Sequence, residues 1–208
     1  MSFQTISTEY PLILASASPR RERLLQQIGL PFRSLPSNIE EDRVMGDPFA
    51  MVRLLSEKKA RAVLSKYKIA SQFYIQNNWI LGADTVVVLG ETILGKPKDH
   101  NEAGSMLLLL SGKEHKVITG FSILDPLGRP THSEEITTLV QVKGLTDEEI
   151  RAYIATGEPF GKAGSYAIQG IGSFMIESIS GSYTNVVGLP VCALIKSLLT
   201  TGALKSFP

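Results

Sequence analysis

The sequence lacks several features that mark particular classes of protein. It contains a single cysteine, Cys192, among 208 residues, so a disulfide within the chain is excluded, which suits a reducing compartment. Cys192 lies in an apolar run and is predicted to be a small core residue. Residues 1–10 show no basic segment followed by an apolar one, so we expect no signal peptide and take the cytoplasm as the default location. No stretch is apolar over the length that spans a bilayer, so no membrane partner is expected.

An excess of one charge is also missing. The chain carries 21 Lys and Arg against 20 Asp and Glu, a formal net charge of +1, so a nucleic-acid polymer is not an expected partner. His100, His115 and His132 do not form a zinc pattern. Residues 157–163 come near a P-loop, but the spacer is one residue short and Ala163 replaces the required Ser or Thr. No G-x-G-x-x-G follows a strand, and no G-x-S-x-G elbow is present.

What the sequence does contain is an alternation of strand-like and helix-like segments. With 43% hydrophobic and 20% charged residues, this alternation predicts a layered α/β or α+β domain. The predicted strands are Leu12–Ala15, Phe32–Leu35, Trp79–Leu89, Thr92–Leu94, Val117–Leu124, Ile136–Val142 and Phe174–Ile179. Helices are predicted at Arg20–Ile28 behind an N-cap at Ser18, at Pro48–Ser65, after capping boxes at Asp99/Glu102 and Thr146/Glu149, and at Leu189–Leu199.

The first motif that could carry chemistry is Ser16-Ala17-Ser18-Pro19-Arg20-Arg21, at a predicted strand-to-helix junction. A helix N-terminus offers unpaired backbone N–H groups and a partial positive charge. The two arginines can grip phosphate oxygens in a bidentate way, and the two serine hydroxyls can donate as well. The motif therefore predicts a triphosphate cradle, although an ordinary helix cap followed by a solvated turn would use the same residues.

Acidic residues form the second and third candidate groups. Asp84 lies among small and apolar residues beside the strongest predicted strand, where a carboxylate is costly unless it is paired or binds a cation. It could hold Mg²⁺, activate a water molecule, or simply bond to backbone at a strand end. The loop Glu40-Glu41-Asp42 could complete a magnesium site, because Mg²⁺ binds carboxylates together with substrate phosphates, or could be a solvated charged loop.

Two lysines and a glycine-rich segment complete the candidates. Lys96, framed by Gly95 and Pro97, and Lys59 on a predicted helix could each place a positive charge on a phosphate, although surface lysines are common. Residues 161–172 contain four glycines, which indicates close backbone approach or several tight turns. Gln169 in this segment offers a donor and an acceptor, which suits the edge of a base, whereas a purely structural loop is the alternative.

Taken in order, these motifs resemble the Maf family of nucleotide pyrophosphatases. The resemblance runs from about Leu12 to Leu199, and its order and spacing are specific. It implies a single domain over residues 1–208, an elongated, two-lobed α/β structure with a mixed, strongly twisted sheet flanked by helices and a nucleotide cleft between the lobes, similar to the inosine triphosphate pyrophosphatases. The matching segments are 15–21, 39–41, 57–60, 82–87, 95–97, 110–112, 162–170 and 187–190.

The resemblance also assigns roles to single residues. Asp84 matches the family's catalytic aspartate, described as the proton acceptor, and Glu41, Lys59 and Lys96 match charged residues of its active cleft. The three positions that mark the branch acting on dTTP and UTP are matched by Arg20, Thr85 and Gln169. The branch preferring 7-methyl-GTP resembles Ser-Pro-Trp-Arg at the first motif and has glutamate at the position of Gln169. One departure is Ile39-Glu40-Glu41, where Val-Asp-Glu is frequent in the family.

The activity that the resemblance implies is hydrolysis of dTTP and UTP between the α- and β-phosphates, with Mg²⁺ or a related divalent ion such as Mn²⁺, by a homodimer. We expect Glu41 and Asp84 to hold the metal. Activation of the attacking water is a second task for Asp84, and it competes with metal binding. The cations expected to neutralise the pyrophosphate are Arg20, Arg21, Lys59 and Lys96. Two alternatives remain: a pyrophosphatase that removes modified nucleotides such as 7-methyl-GTP, and a nucleotide-binding regulator of cell division.

Overall fold

The computed structural model describes residues 3–39, 46–69 and 77–207, and over these residues it has a mixed α/β fold. No helix among them combines the length and the apolar character that crossing a membrane requires. The strands are β1 (Leu12–Leu14), β2 (Phe32–Ser34), β3 (Ile80–Leu89), β4 (Thr92–Leu94), β5 (Glu114–Leu124), β6 (Pro130–Val142) and β7 (Ile176–Ser180). The helices are α1 (Pro19–Gln27), α2 (Pro48–Ile69), α3 (His100–Leu110), α4 (Asp147–Ala155), α5 (Tyr183–Val187) and α6 (Val191–Thr200).

The strands form a seven-stranded sheet in the order β2-β1-β3-β5-β6-β7, with β4 paired to β3 outside this path. Strand β1 runs parallel to both β2 and β3. The pairs β3–β4 and β6–β7 are antiparallel. The sheet is therefore mixed, and the predicted α/β class with a mixed sheet is confirmed.

The chain divides into two compact units. The first unit takes in the described residues within 1–84, 119–136 and 188–208, and the second takes in residues 85–118 and 137–187. Each unit has its own apolar core. The core of the first unit includes Ile13, Ala15, Ala60, Val63, Ile80 and Leu124. The core of the second includes Val87, Leu107, Leu110, Val117, Val140, Tyr153 and Met175. The prediction of two lobes with a nucleotide cleft between them stays a prediction.

Most predicted elements are present, and local chemistry sets their ends. Helix α1 begins at Pro19 behind Ser18, although the Ser18 side chain makes no capping hydrogen bond. Gly29, with a φ of +68°, follows the end of α1. The box at Thr146 and Glu149 has both of its reciprocal hydrogen bonds. The Asp99 carboxylate accepts from the backbone of Glu102, while the Glu102 carboxylate accepts from Lys98 N at 2.7 Å instead of closing the box.

Some predictions were incomplete or wrong. Strands β5 and β6 are longer than predicted, and β7 begins later because residues 171–175 form a 3-10 turn. The short helix α5 was not predicted. The prediction that Cys192 is a core residue is wrong, because the thiol is exposed. It lies in the first turn of α6, whose buried face is formed by Leu194, Ser197 and Leu198.

Gly82 brings β3 unusually close to α2. A Cβ at this position would lie 1.9 Å from the carbonyl oxygen of Ser56 and 3.0 Å from the backbone N of Ala60. Both of these atoms belong to the backbone of α2, so a side chain could be accommodated only if the helix moved. The absence of a side chain at residue 82 therefore sets the spacing between α2 and β3.

Replacing Gly82 by alanine is expected to lower the free energy of unfolding by about 1–3 kcal/mol, because the added methyl group overpacks a helix–sheet contact. Equilibrium urea unfolding measures the change. Gly144→Ala is the matched control, since a Cβ at residue 144 meets no atom within 4 Å. If both variants unfolded at the same urea concentration, the close packing at Gly82 would not limit stability.

His115 is a buried titratable group in the second unit. The residue is only 2% exposed, and its Nε2 lies 2.8 Å from the hydroxyl oxygen of Tyr166. Burial disfavours the charged imidazole and lowers the pKa of His115 to about 4, from 6.5. Burial also raises the pKa of Tyr166, so this is a pair of neutral groups at physiological pH.

The depressed pKa of His115 predicts that stability falls in mild acid. Between pH 6.5 and 4 the unfolded chain binds a proton that the folded protein does not. The stabilisation is therefore complete above pH 6.5 and declines toward pH 4, by about 3 kcal/mol in all. Chemical unfolding at pH 7 and pH 5 should show a shallower pH dependence for His115→Gln than for the wild type, with exposed His100→Gln as control. Equal pH dependence in His115→Gln and the wild type would contradict this.

Candidate active site

The candidate site in the first unit lies where β1 ends beside β3. The two strands are parallel, with Leu14 opposite Leu81, and the backbone N of Ala15 donates to the carbonyl of Leu81 at 2.8 Å. Ser16 therefore follows the carboxyl end of β1, while β3 continues past that point to Asp84. In parallel sheets, ligands bind at the carboxyl ends of strands, and a helix N-terminus there favours anions. Helix α1 begins three residues beyond Ser16, at Pro19.

Asp84 and Lys59 form a buried ion pair. Lys59 Nζ lies 2.6 Å from Asp84 Oδ1, and the two residues are 7% and 2% exposed. Lys59 comes from α2 and Asp84 from β3, so the close helix–strand approach at Gly82 brings the two charges together. The costly burial of the Asp84 carboxylate is thus offset by a cation.

The second oxygen of Asp84 is the notable atom of the site. Asp84 Oδ2 is buried and has no hydrogen-bond partner among the described residues. Leaving a buried acceptor without a partner costs about 1–3 kcal/mol, so a water molecule or cation that satisfied this oxygen would be bound favourably here. This atom can accept a proton from a water molecule or coordinate a cation.

Arg21 is not simply a surface arginine at the start of α1. It is 8% exposed, its Nε donates to the carbonyl of Gly188 at 2.7 Å, and its Nη1 donates to Ser16 Oγ at 3.1 Å. Ser16 Oγ also accepts from the backbone N of Ser18 at 3.2 Å. These contacts fix the turn between β1 and α1 and connect it to residue 188. Ser18 and Arg20 are half-buried in this turn.

Three predicted site residues belong to the second unit. Thr85 is half-buried in β3, whereas Lys96 and Gln169 are exposed. The segment after β4 is joined to the glycine-rich segment, because the backbone N of Gly164 donates to the carbonyl of Gly95 at 3.0 Å. Gly164 has a φ of +70°, and a Cβ there would lie 3.0 Å from the side chain of Val87. The second unit thus connects the loop of Lys96 with the segment that carries Gln169.

Glu41, predicted as a metal ligand, and its neighbours Glu40 and Asp42 lie outside the described residues. Within the described ranges no group of three or more His, Cys, Asp or Glu side chains could hold a metal ion. A site for Mg²⁺ needs less than that, because Mg²⁺ is usually bound by one or two carboxylates together with substrate phosphates and water. The buried, unsatisfied Oδ2 of Asp84 fits the first of these ligands.

Two features of the second unit were missed or left open by the sequence. The Glu158 carboxylate accepts hydrogen bonds from the backbone N–H groups of Ile171 and Gly172, and no motif singled out this residue. The sequence did not decide whether residues 183–185 touch a ligand or shape a turn. Asn185 is fully buried, and its Nδ2 donates to Val117 O at 3.0 Å and to Thr138 Oγ1 at 2.9 Å, which is a structural role.

Comparison with known proteins identifies a family and several relatives of the chain. A family model described as Maf-like protein matches residues 11–201. A dTTP/UTP pyrophosphatase of Syntrophotalea carbinolica is 48% identical over 94% of this chain and 87% of its own length. A protein of the same name from Ruminiclostridium cellulolyticum is 50% identical over 86% of this chain and 90% of its own length. Another, from Geobacter sp. strain M21, is 47% identical over 93% and 96% of the two chains.

Among solved structures, a nucleoside-triphosphatase described as a dITP/XTP pyrophosphatase from Mycobacterium abscessus aligns with a TM-score of 0.38 at 15% identity, over 64% of this chain and 74% of that one. This similarity is too low to support a conclusion about function.

Proposed function

The chain belongs to the Maf family, and from that premise we propose that it hydrolyses dTTP and UTP to the nucleoside monophosphate and pyrophosphate. Three relatives that are 47–50% identical carry the name dTTP/UTP pyrophosphatase. The observation that carries the proposal is the buried ion pair of Lys59 and Asp84. The second carboxylate oxygen of Asp84, Oδ2, has no hydrogen-bond partner among the described residues. This pair lies beyond the carboxyl end of β1, in the same unit as the N-terminus of α1.

The triphosphate binds through the turn between β1 and α1. The N-terminal N–H groups of α1 and the guanidinium of Arg20 neutralise phosphate charge, with hydroxyl donors at Ser16 and Ser18. Lys59 and Lys96 add positive charge on the pyrophosphate leaving group. Phosphoryl transfer needs positioning and charge neutralisation more than covalent catalysis, and these cationic side chains supply charge neutralisation.

Arg21 has a different task from the one that its position suggested. Its Nε and Nη1 donate to Gly188 O and Ser16 Oγ, so we assign to it the shaping of the phosphate-binding turn. It still contributes positive charge to that turn. A guanidinium that is held by two oxygens at its own site acts on the phosphates mainly through the groups it positions.

Asp84 has two proposed tasks, as general base and as metal ligand. Its Oδ1 accepts from Lys59, which fixes the carboxylate and leaves Oδ2 to accept the proton of the water that attacks the α-phosphorus. A divalent cation, Mg²⁺ or Mn²⁺, fits the same carboxylate, and we propose that Asp84 holds it together with Glu41. When bound, it supplies neutralisation of the phosphate charge. Metal binding and proton transfer compete for Asp84, and the metal dependence of the Asp84→Asn variant separates them.

The base is recognised by residues of the second unit. Gln169 donates to and accepts from polar atoms of uracil or thymine. Thr85, and Arg20 in the first unit, are the other two positions that mark the dTTP/UTP branch in the family resemblance. A polar site of this kind discriminates strongly, because a base that leaves its donors and acceptors unpaired is rejected. A cytoplasmic location and a homodimer are part of the proposal through the family resemblance, and light scattering on the purified protein measures the oligomeric state.

The experiment that tests this function offers the purified protein dTTP, UTP, CTP, ATP, GTP and 7-methyl-GTP with Mg²⁺ and measures pyrophosphate release. We expect kcat/KM for dTTP and UTP to exceed the values for the other nucleotides by about tenfold or more. Preference for 7-methyl-GTP would instead support removal of modified nucleotides. Binding of dTTP without release of pyrophosphate from any nucleotide would support a regulator of cell division.

A further inference from the structure

The segment that carries Gln169 is held on both sides by two side chains from α4 and the turn after it. On one side, the backbone N of Ala167 donates to the hydroxyl of Tyr153 at 3.2 Å. On the other side, the backbone N–H groups of Ile171 and Gly172 donate to the two oxygens of the Glu158 carboxylate at 3.0 and 2.8 Å. Gln169 is thus the exposed middle of a segment whose flanks are fixed.

Tyr153 and Glu158 act as one unit, because the Tyr153 hydroxyl donates to Glu158 Oε2 at 2.8 Å. Burial raises the pKa of Glu158, but the hydrogen bonds from Gly172 N, Tyr153 OH and Ile171 N outweigh that effect, and the net pKa lies below its usual value. The carboxylate is therefore ionised at neutral pH and can accept all three hydrogen bonds. Burial and the neighbouring Glu158 raise the pKa of Tyr153, so its hydroxyl stays a donor.

Gly170 and Gly172 allow the backbone of this segment to approach Glu158 and Tyr153 closely. A Cβ at Gly170 would lie 1.8 Å from Glu158 Oε1. A Cβ at Gly172 would lie 2.7 Å from the Tyr153 hydroxyl oxygen and 2.8 Å from the Ala167 carbonyl oxygen. A side chain at either position would therefore displace the Glu158 carboxylate or the Tyr153 hydroxyl from these contacts. This explains two of the four glycines that the sequence left without a function.

We propose that Tyr153 and Glu158 are positioning residues for base recognition: they fix residues 167–172 so that Gln169 meets the base. The inference rests on the proposed function of Gln169. Tyr153 and Glu158 belong to the second unit, whereas Asp84, the proposed base, and Lys59, a proposed cation, belong to the first. Losing the Glu158 contacts should therefore weaken nucleotide binding and base discrimination while leaving the chemical step intact.

The test begins with Glu158→Gln. The amide has the shape of the carboxylate but offers one acceptor oxygen, and its NH₂ must face a backbone N–H donor. We expect KM for UTP to rise about tenfold, kcat to change by less than about threefold, and the preference for UTP over CTP to fall. Tyr153→Phe, which removes only the hydroxyl, should shift the same quantities in the same direction. Glu148→Gln, an exposed glutamate on α4, should match the wild type.

Two further measurements distinguish positioning from a general structural role. In a Gln169→Ala background, adding Glu158→Gln should raise KM by less than about twofold, because Glu158 affects base recognition only through Gln169. In the nucleotide-free protein, hydrogen exchange at the amides of Ala167, Ile171 and Gly172 should be at least about tenfold faster in Glu158→Gln than in the wild type or Glu148→Gln.

Several results would overturn the positioning role of Glu158. Unchanged exchange, or a multiplicative effect of Glu158→Gln on top of Gln169→Ala, would overturn the positioning role even if the wild type hydrolyses UTP. A fall in kcat with KM unchanged would also overturn it. If the wild type turned over neither dTTP nor UTP, the proposed function would fail and the base-recognition role with it, whereas the exchange result would still report whether Glu158 orders the segment.

Discussion

Replacing Asp84 by asparagine is expected to lower kcat for UTP by about 10²- to 10⁴-fold, the range that a general base contributes. Asparagine keeps the size of the side chain and can still accept from Lys59 Nζ, but its amide cannot take a proton from water. Release of pyrophosphate under saturating UTP and Mg²⁺ measures kcat, and calorimetry with UTP measures binding, which should change much less. Full activity of the variant would remove Asp84 from the mechanism.

The matched control is Asp125→Asn, which alters another buried aspartate of the first unit. Asp125 is 1% exposed, and its Oδ1 accepts from the backbone N–H groups of Leu127 and Arg129, both at 2.9 Å, in the turn between β5 and β6. This variant should lose stability but keep kcat. The metal dependence of Asp84→Asn separates the two tasks of Asp84: recovery at high Mg²⁺ indicates a lost ligand, and no recovery indicates a lost base.

Replacing Lys59 by methionine is expected to have the second largest effect, on stability as well as on activity. Methionine fills the same volume without charge, so the Asp84 carboxylate stays buried without its cation, which costs about 3–5 kcal/mol. Urea unfolding with EDTA present measures this loss. Lys58→Met, at the exposed neighbouring position of α2, is the control and should change stability by about 0.5 kcal/mol or less.

The double variant Lys59→Met/Asp84→Asn sharpens this prediction. Removing both charges leaves no uncompensated ion, so the double variant should be more stable than Lys59→Met alone, because the pair is coupled. It should nevertheless remain inactive, since both the base and a phosphate-neutralising cation are gone. If the loss of stability in the double variant equalled the sum of the losses in the two single variants, the 2.6 Å contact between Lys59 and Asp84 would contribute little to folding.

Parts of this structure could be predicted from local sequence because local chemistry determines them. The turn Gly90-Glu91 gives the β3–β4 hairpin, and Thr146 with Glu149 starts α4 as predicted. The burial of Asp84 among small and apolar neighbours also followed from its sequence context. These features depend on backbone preference, turn chemistry and periodicity, which act over a few residues.

The contacts that build the site could not be predicted in the same way. The partner of Asp84 is 25 residues away, and Arg21 bonds a carbonyl 167 residues away, so both depend on how elements pack. From the sequence, Arg21 was predicted to bind the phosphates, because its hydrogen bonds to Ser16 and Gly188 depend on packing that the sequence does not reveal. Glu158 was missed because two of its three donors are backbone N–H groups, which leave no residue-type signal, although Gly170 and Gly172 indicated close approach of some group.

The central claim is that water attacks the α-phosphorus of a pyrimidine triphosphate, and hydrolysis of UTP in H₂¹⁸O tests it most directly. Mass spectrometry of the products should find one ¹⁸O in the phosphate of UMP and none in pyrophosphate, because the new bond forms at the α-phosphorus and the α–β bridging oxygen leaves with pyrophosphate. Label in pyrophosphate, or UDP with inorganic phosphate as products, would contradict the account.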